Sequence, residues 1–370
     1  MHQSSIPIIL LVFLSLTNLS CKKKNNPQPD PKPVVKTLSL AYQRNVTTDW
    51  AFLSMSAAAS DNHLYVSGGM NYGTGSDLYI YTPSSTQWER VPLSQIRSSS
   101  SVTYLKGKVF VAGGDYNTAD QYRIDIYDEN TKTSSVKLLG DYMYGHPTFS
   151  AIIENRYVVF YDYNYLYVYD TITGNWETID NPLPTRITIT GMVVIGTKLY
   201  FNEVYNPNFI KIFDFKTRTW SSISSLQHAS NTKLLSLDDR IYFYGNSSFI
   251  PLDHIDVFDV KTGIWSKIML PGGRTMYDMS IDPKSKSLVI TGGRIFEVVD
   301  AGYIDAKISN DLLIYNLEDK NWERLKLNTA RYATTGQFVS NYFIVHGGSA
   351  TFNEYPLVKL PTEVYLVNYK

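Results

Sequence analysis

Leu166-Tyr167-Val168-Tyr169-Asp170-Thr171-Ile172-Thr173-Gly174-Asn175-Trp176 reads as two short strands around a tight turn. Leu166 and Val168 alternate with their neighbours at period two and lead to an aromatic, so this segment is a strand with one buried face. Thr173-Gly174-Asn175 is the turn, and Trp176 stands seven residues after Tyr169. The apolar-x-apolar-aromatic unit returns as Leu78/Ile80/Tyr81, Ile124/Ile126/Tyr127, Ile210/Ile212/Phe213, Ile255/Val257/Phe258 and Leu312/Ile314/Tyr315, with a looser last copy at Val364/Leu366/Val367. Trp88, Trp220, Trp265 and Trp322 repeat the seven-residue spacing, whereas the second copy has Ser134 there. Such Trp residues pack between strands, and replacing Trp176, Trp220 or Trp265 by alanine is expected to cost on the order of 3–5 kcal/mol if they are buried.

The second apolar positions are 80, 126, 168, 212, 257, 314 and 366. Spacings of that size fit propeller blades and exceed most helical or leucine-rich repeats. Most copies are preceded by another apolar strand that ends in glycine: Gly68-Gly69, Gly113-Gly114, Gly292-Gly293 and Gly347-Gly348. Phe160-Tyr161, Asn202-Glu203 and Gly245-Asn246 hold that place in the three middle copies. Paired glycines at a strand end permit positive φ and close backbone approach.

A strand ending in Gly-Gly, an aromatic strand, then Trp at fixed distance resembles the kelch repeat over roughly residues 37–370. The resemblance implies an all-β, seven-bladed kelch-type β-propeller with four strands to a blade. Only Asn368-Tyr369-Lys370 follow the last copy, so the last blade lacks its outer strand. The alternating segment Thr37–Tyr42 is expected to supply it and close the ring. Six blades with one irregular extra hairpin is the alternative.

Lys and Arg together number 34, as do Asp and Glu, so net charge is zero and no basic stripe suggests nucleic acid. Residues 1–20 read as a signal peptide of lipoprotein type, with the apolar run Ile6–Leu16 as its core. Ser20-Cys21 resembles a bacterial lipoprotein cleavage site, which implies lipidation of Cys21, the single cysteine of the chain. Asn18 stands where such sites carry an aliphatic residue, and no Lys or Arg opens the leader. Residues 21–36 hold Lys22–Lys24 and a Pro-rich tether. The expected location is the outer membrane by lipid anchor, periplasmic side, with cell surface or secretion as alternatives.

In a kelch propeller the loops into each innermost strand and the loops after Gly-Gly share one face. Arg97, Tyr144, Arg186, His228, Arg274 and Arg331 recur 16–18 residues ahead of the glycine positions and are candidates for ligand binding at the channel mouth. Arginine forks suit carboxylates, sulfates or phosphates. Kelch repeats also carry an Arg there that bonds neighbouring carbonyls, so a structural role stays open for each. The stretches 294–310 and 349–362 decorate the same face and add Arg294 and Tyr303 as candidates, with Phe296 and Phe352.

No nucleophile elbow, phosphate loop or His-Glu-x-x-His is present, and the six His show no metal spacing. No metal and no cofactor are expected. Kelch propellers include galactose oxidase, whose radical site needs a Cys joined to Tyr, and Cys21 lies outside the ring. The leading expectation is a lipid-anchored monomer that binds or scaffolds a protein partner. A sugar or anionic ligand at the channel mouth is second, and a sugar-acid epimerase-like enzyme is third.

Overall fold

In the computed structural model, the described residues are 36–370 except 52, 54, 70–75, 98–99, 115–122, 140–148, 163–164, 181–188, 204–208, 225–231, 247–250, 299–303 and 353–357. Lys36–Lys370 form one compact unit of seven antiparallel sheets. Blade one runs Ser56–Ala59, Leu64–Ser67, Asp77–Tyr81 and Trp88–Pro92 in spatial as well as chain order. Blades two to six repeat that order, and the first strands of successive blades touch all the way round the ring. The chain is a seven-bladed kelch-type β-propeller.

Blade seven takes its outer strand from the other end of the chain. Leu38–Val46 pairs antiparallel with Thr362–Tyr369, and the backbones of Thr37 and Lys370 exchange hydrogen bonds at 2.9 and 3.0 Å. Leu38 and Val46 are buried, so the closing strand is packed as well as paired.

The seven-residue spacing places each Trp directly opposite its aromatic across a hairpin. Tyr169 pairs with Trp176, Phe213 with Trp220 and Tyr315 with Trp322, with ring centroids 4.9, 4.9 and 4.7 Å apart. Trp220 also stacks on Phe201 of the second strand at 5.4 Å. In blade two Ser134 faces Tyr127. One turn is used repeatedly in these hairpins. Asp170, Asp214 and Asp259 each accept backbone N–H groups from residues two and, in the last two cases, three places on. The fifth residue, Gly174, Arg218 or Gly263, takes positive φ.

The Trp rings are partly exposed rather than buried, which lowers the expected cost of removing them. Trp176→Ala and Trp220→Ala should each lose about 2–3 kcal/mol, the area and aromatic contact of a half-buried ring. Urea unfolding of the two variants checks this, and wild-type midpoints would remove the Trp from the packing of the blades.

Seven apolar clusters each join one blade to the next and fill the seams of the ring. Nearer the channel the first strands are tied by polar bonds. Thr335 Oγ1 donates to Met55 O at 2.9 Å, Thr190 Oγ1 to Thr232 O at 2.8 Å and Ser280 Oγ to Gly336 O at 2.6 Å. Ser56 bonds Ser100 O, and Thr103 bonds Ser150. Apolar seams resist separation, while these directional bonds fix the register of neighbouring blades.

Stretch 294–310 differs from the open loop expected from sequence. Arg294–Val298 and Ile304–Ile308 form a hairpin, and Arg274–Thr275 pairs with Ile295–Arg294. The long strand Ile264–Thr275 therefore extends the sheet of blade five to six strands. Blade six thus lends two strands to the sheet of its neighbour.

Candidate functional site

The second strand of each blade runs towards the double-glycine face. At Gly113-Gly114 the φ values are 71° and 102°. A side chain at Gly292 would collide with the carbonyl oxygen of Arg331, so glycine is needed where the next blade's loop crosses.

Those crossings are held by Arg97, Arg274 and Arg331, all with no exposed surface. Each reaches the carbonyl of the first glycine in the pair that follows it along the chain: Arg97 to Gly113 O at 2.6 Å, Arg274 to Gly292 O at 3.3 Å and Arg331 to Gly347 O at 3.2 Å. Each also meets a carboxylate from the third strand: Asp125 at 2.5 Å, Asp311 at 3.2 Å and Glu363 at 2.7 Å. Arg97 further donates to Arg123 O, and Arg331 to Pro361 O. Burial pulls the three guanidinium pKa values down, and the carboxylates oppose it. Burial would also raise the Asp311 carboxyl, but Lys326, Arg274 and Arg324 outweigh it and hold it below its ordinary value. The three arginines act as braces between strand ends, and a ligand would have to displace a buried ion pair to reach them.

Arg294 is different. It begins the first strand of the extra hairpin, partly exposed, between blades six and seven. Its guanidinium carbon lies 4.6 Å from the Phe352 centroid and 5.8 Å from those of Phe296 and Tyr332. Tyr332 and Phe352 are themselves 5.7 Å apart. A guanidinium stacked on rings keeps its in-plane donors at the edge of the stack. The sequence thus placed Arg294, Phe296 and Phe352 on one rim, and the structure brings them together with Tyr332. Tyr144, Arg186, His228, Tyr303 and Cys21 lie outside the described residues. Glu203, in the Gly-Gly place of blade four, is nearly buried, and desolvation raises its carboxyl pKa.

The opposite face, where the hairpin turns gather, holds a cleft of about 440 Å³ that sequence reasoning missed. Asp61, Tyr104, Glu129, Asp282, Lys284 and Tyr369 are among its lining residues. Glu129 accepts from His63 Nδ1 at 2.6 Å and Tyr104 OH at 3.0 Å, and Asp282 accepts from Tyr369 OH at 3.2 Å. Four blades contribute to this cleft, so no single repeat announces it. Among the described residues no group of three His, Cys, Asp or Glu is placed to hold a metal ion, and no helix is long and apolar enough to cross a membrane.

Residues 51–92, which contain blade one, match the family described as Kelch motif. The F-box/kelch-repeat protein At4g39580 of Arabidopsis thaliana is 26% identical over 176 residues, covering 46% of this chain and 46% of that protein. F-box/kelch-repeat protein At2g44630 of the same plant is 24% identical over 220 residues, 58% of this chain and 56% of its own length. The chain spans about half the length of the curated relatives it matches. The solved structure of YjhT matches with a TM-score of 0.52 over 88% of this chain and 98% of that one, at 14% identity. That likeness shows the fold alone.

Proposed function

We propose that this propeller is a binding module for a protein partner, engaged through the rim of blades six and seven on the double-glycine face. The observation that carries the reading is the Arg294, Phe296, Tyr332 and Phe352 cluster. Arg and aromatic side chains dominate the affinity of protein interfaces. Arg294 and Phe296 sit on a hairpin built into a six-stranded sheet, and Tyr332 opens the first strand of blade seven, so little ordering cost remains for those three on binding. The kelch-repeat resemblance supports a protein partner over other classes.

The reading includes attachment to the outer membrane, periplasmic side, through lipid on Cys21. The leader, the Ser20-Cys21 step and the Pro-rich stretch that follows support it. Leu38 pairs with Tyr369 at the turn-side end of blade seven, the face opposite the rim.

Partner binding by Arg294→Ala/Phe352→Ala, a double variant of two half-exposed positions, should fall by at least about 30-fold with folding intact. The check is cross-linking in the membrane fraction, followed by titration of the recovered partner against both proteins. Cys21→Ala should move protein and partner together into the soluble fraction. Glu203, buried with Oε2 unpartnered among the described residues, favours a second reading, a sugar ligand at the channel mouth with a hydroxyl donating to that oxygen. A melting-point rise with a sugar and no cross-linked partner would move the account there.

A further inference from the structure

His346 lies on the second strand of blade seven with no exposed surface, and among the described residues neither ring nitrogen has a hydrogen-bond partner. Buried polar groups almost always have partners, so such an orphan requires a physical reason. The ring touches Trp50 and Trp88 edgewise, at centroid distances of 6.4 and 6.1 Å. Those two indoles meet each other at 5.5 Å and plug the seam between blades seven and one. The strand partner of His346 is Thr335, whose hydroxyl ties blade seven to Met55 ahead of blade one. The imidazole therefore sits behind the joint where the two ends of the propeller meet.

Among the described residues, the charged and titratable groups on the packed elements offer it no acceptor. Arg331 is spent on Glu363, whose oxygens also take Asn328 N, Thr329 N and Tyr365 OH. Arg44, on the closing strand, donates to Pro83 O and Tyr81 OH. Asp49 and Asp77 face Arg90, beside the Tyr79 ring, and Glu89 is exposed.

We propose that His346 is an acid-operated release for the blade seven–blade one seam. A proton turns a neutral ring without partners into a buried cation without an acceptor, and parting Trp50 from Trp88 lets that cation reach water. Burial, with Arg331 adding to it, holds the imidazole pKa at about 3 in the closed seam, against about 6.5 in water. A depressed folded pKa means that closure is fully supported above about pH 6.5 and weakens as pH falls from there towards about 3. One proton taken up on opening raises the opening constant about 25-fold from pH 7 to pH 5.

Hydrogen exchange of the full chain, corrected for the intrinsic effect of pH, tests this. Peptides covering Trp88–Pro92 and Tyr342–Ser349 should gain about 25-fold in opening between pH 7 and pH 5, and Thr219–Ser224, in blade four, should not. His346→Phe should remove the gain at blades seven and one. An equal gain at every seam, or a gain that survives His346→Phe, overturns the proposal. If the phenylalanine variant does not fold, the wild-type ring proton followed by NMR decides. It must titrate in step with exchange at the seam, and titration without seam opening is the contrary result.

Discussion

Arg331→Ala should lower the stability of the propeller by about 3–5 kcal/mol, the cost of breaking a fully buried ion pair by removing one partner. Neither Arg331 nor Glu363 has any exposed side-chain surface. The substitution leaves a carboxylate inside the protein with only Asn328 N, Thr329 N and Tyr365 OH to support it. It also frees the carbonyls of Gly347 and Pro361 that the guanidinium now satisfies. Arg331→Met/Glu363→Gln should recover much of the loss, because apolar and neutral groups of similar size avoid the stranded charge. Urea unfolding of the three proteins gives the comparison. A single variant within about 1 kcal/mol of wild type, the range of exposed ion pairs, would return Arg331 to the list of residues available to a ligand.

Removal of the chain up to Val46 should abolish cooperative folding. The deleted strand contributes Leu38, Leu40 and Val46 to the core at 1%, 8% and 2% exposure. Three such side chains are worth about 1.5–3 kcal/mol each, which together approaches the roughly 5–15 kcal/mol that stabilises a whole domain. The truncated blade would also present the backbone of Thr362–Tyr369 as an open edge, a template for aggregation. A permuted chain restores the strand by another route. Thr37 and Lys370 already exchange backbone hydrogen bonds, so an Asn-Gly turn from Lys370 to Thr37 makes the clasp an ordinary hairpin. The permutant, beginning at residue 47, should melt close to wild type. A truncated chain that melts cooperatively, or a permutant that does not, removes the closing strand from the account.

The architecture was legible because two spacings repeat. Period-two alternation marks the strands, and seven residues from aromatic to Trp measure one hairpin, whose cross-strand pairing the structure then shows at Tyr169/Trp176. Even the missing Trp of blade two is a local change, with Ser134 opposite Tyr127. The closing strand was legible from the alternation of Thr37–Tyr42, a segment with no other partner to claim it. The burial of the arginines was not, because an Arg ahead of a glycine pair reads the same whether it holds a loop or a ligand. Asp125, Asp311 and Glu363, acids at or beside the apolar start of a third strand, were the available signal. Stretch 294–310 was legible as long and decorated. Its union with blade five was not, since that depends on where Ile264–Thr275 ends. The turn-side cleft and the orphan His346 arise from elements distant in sequence, which no repeat encodes.

The central claim is that the rim of blades six and seven meets a protein partner. A photo-cross-linking aromatic amino acid at position 352, on the rim, and at position 284, on the opposite face, tests it in cells that make the full chain. The account predicts one discrete adduct from position 352, lost when Arg294 is replaced by alanine, and none from position 284. An adduct from position 284 alone, or from neither position, contradicts it.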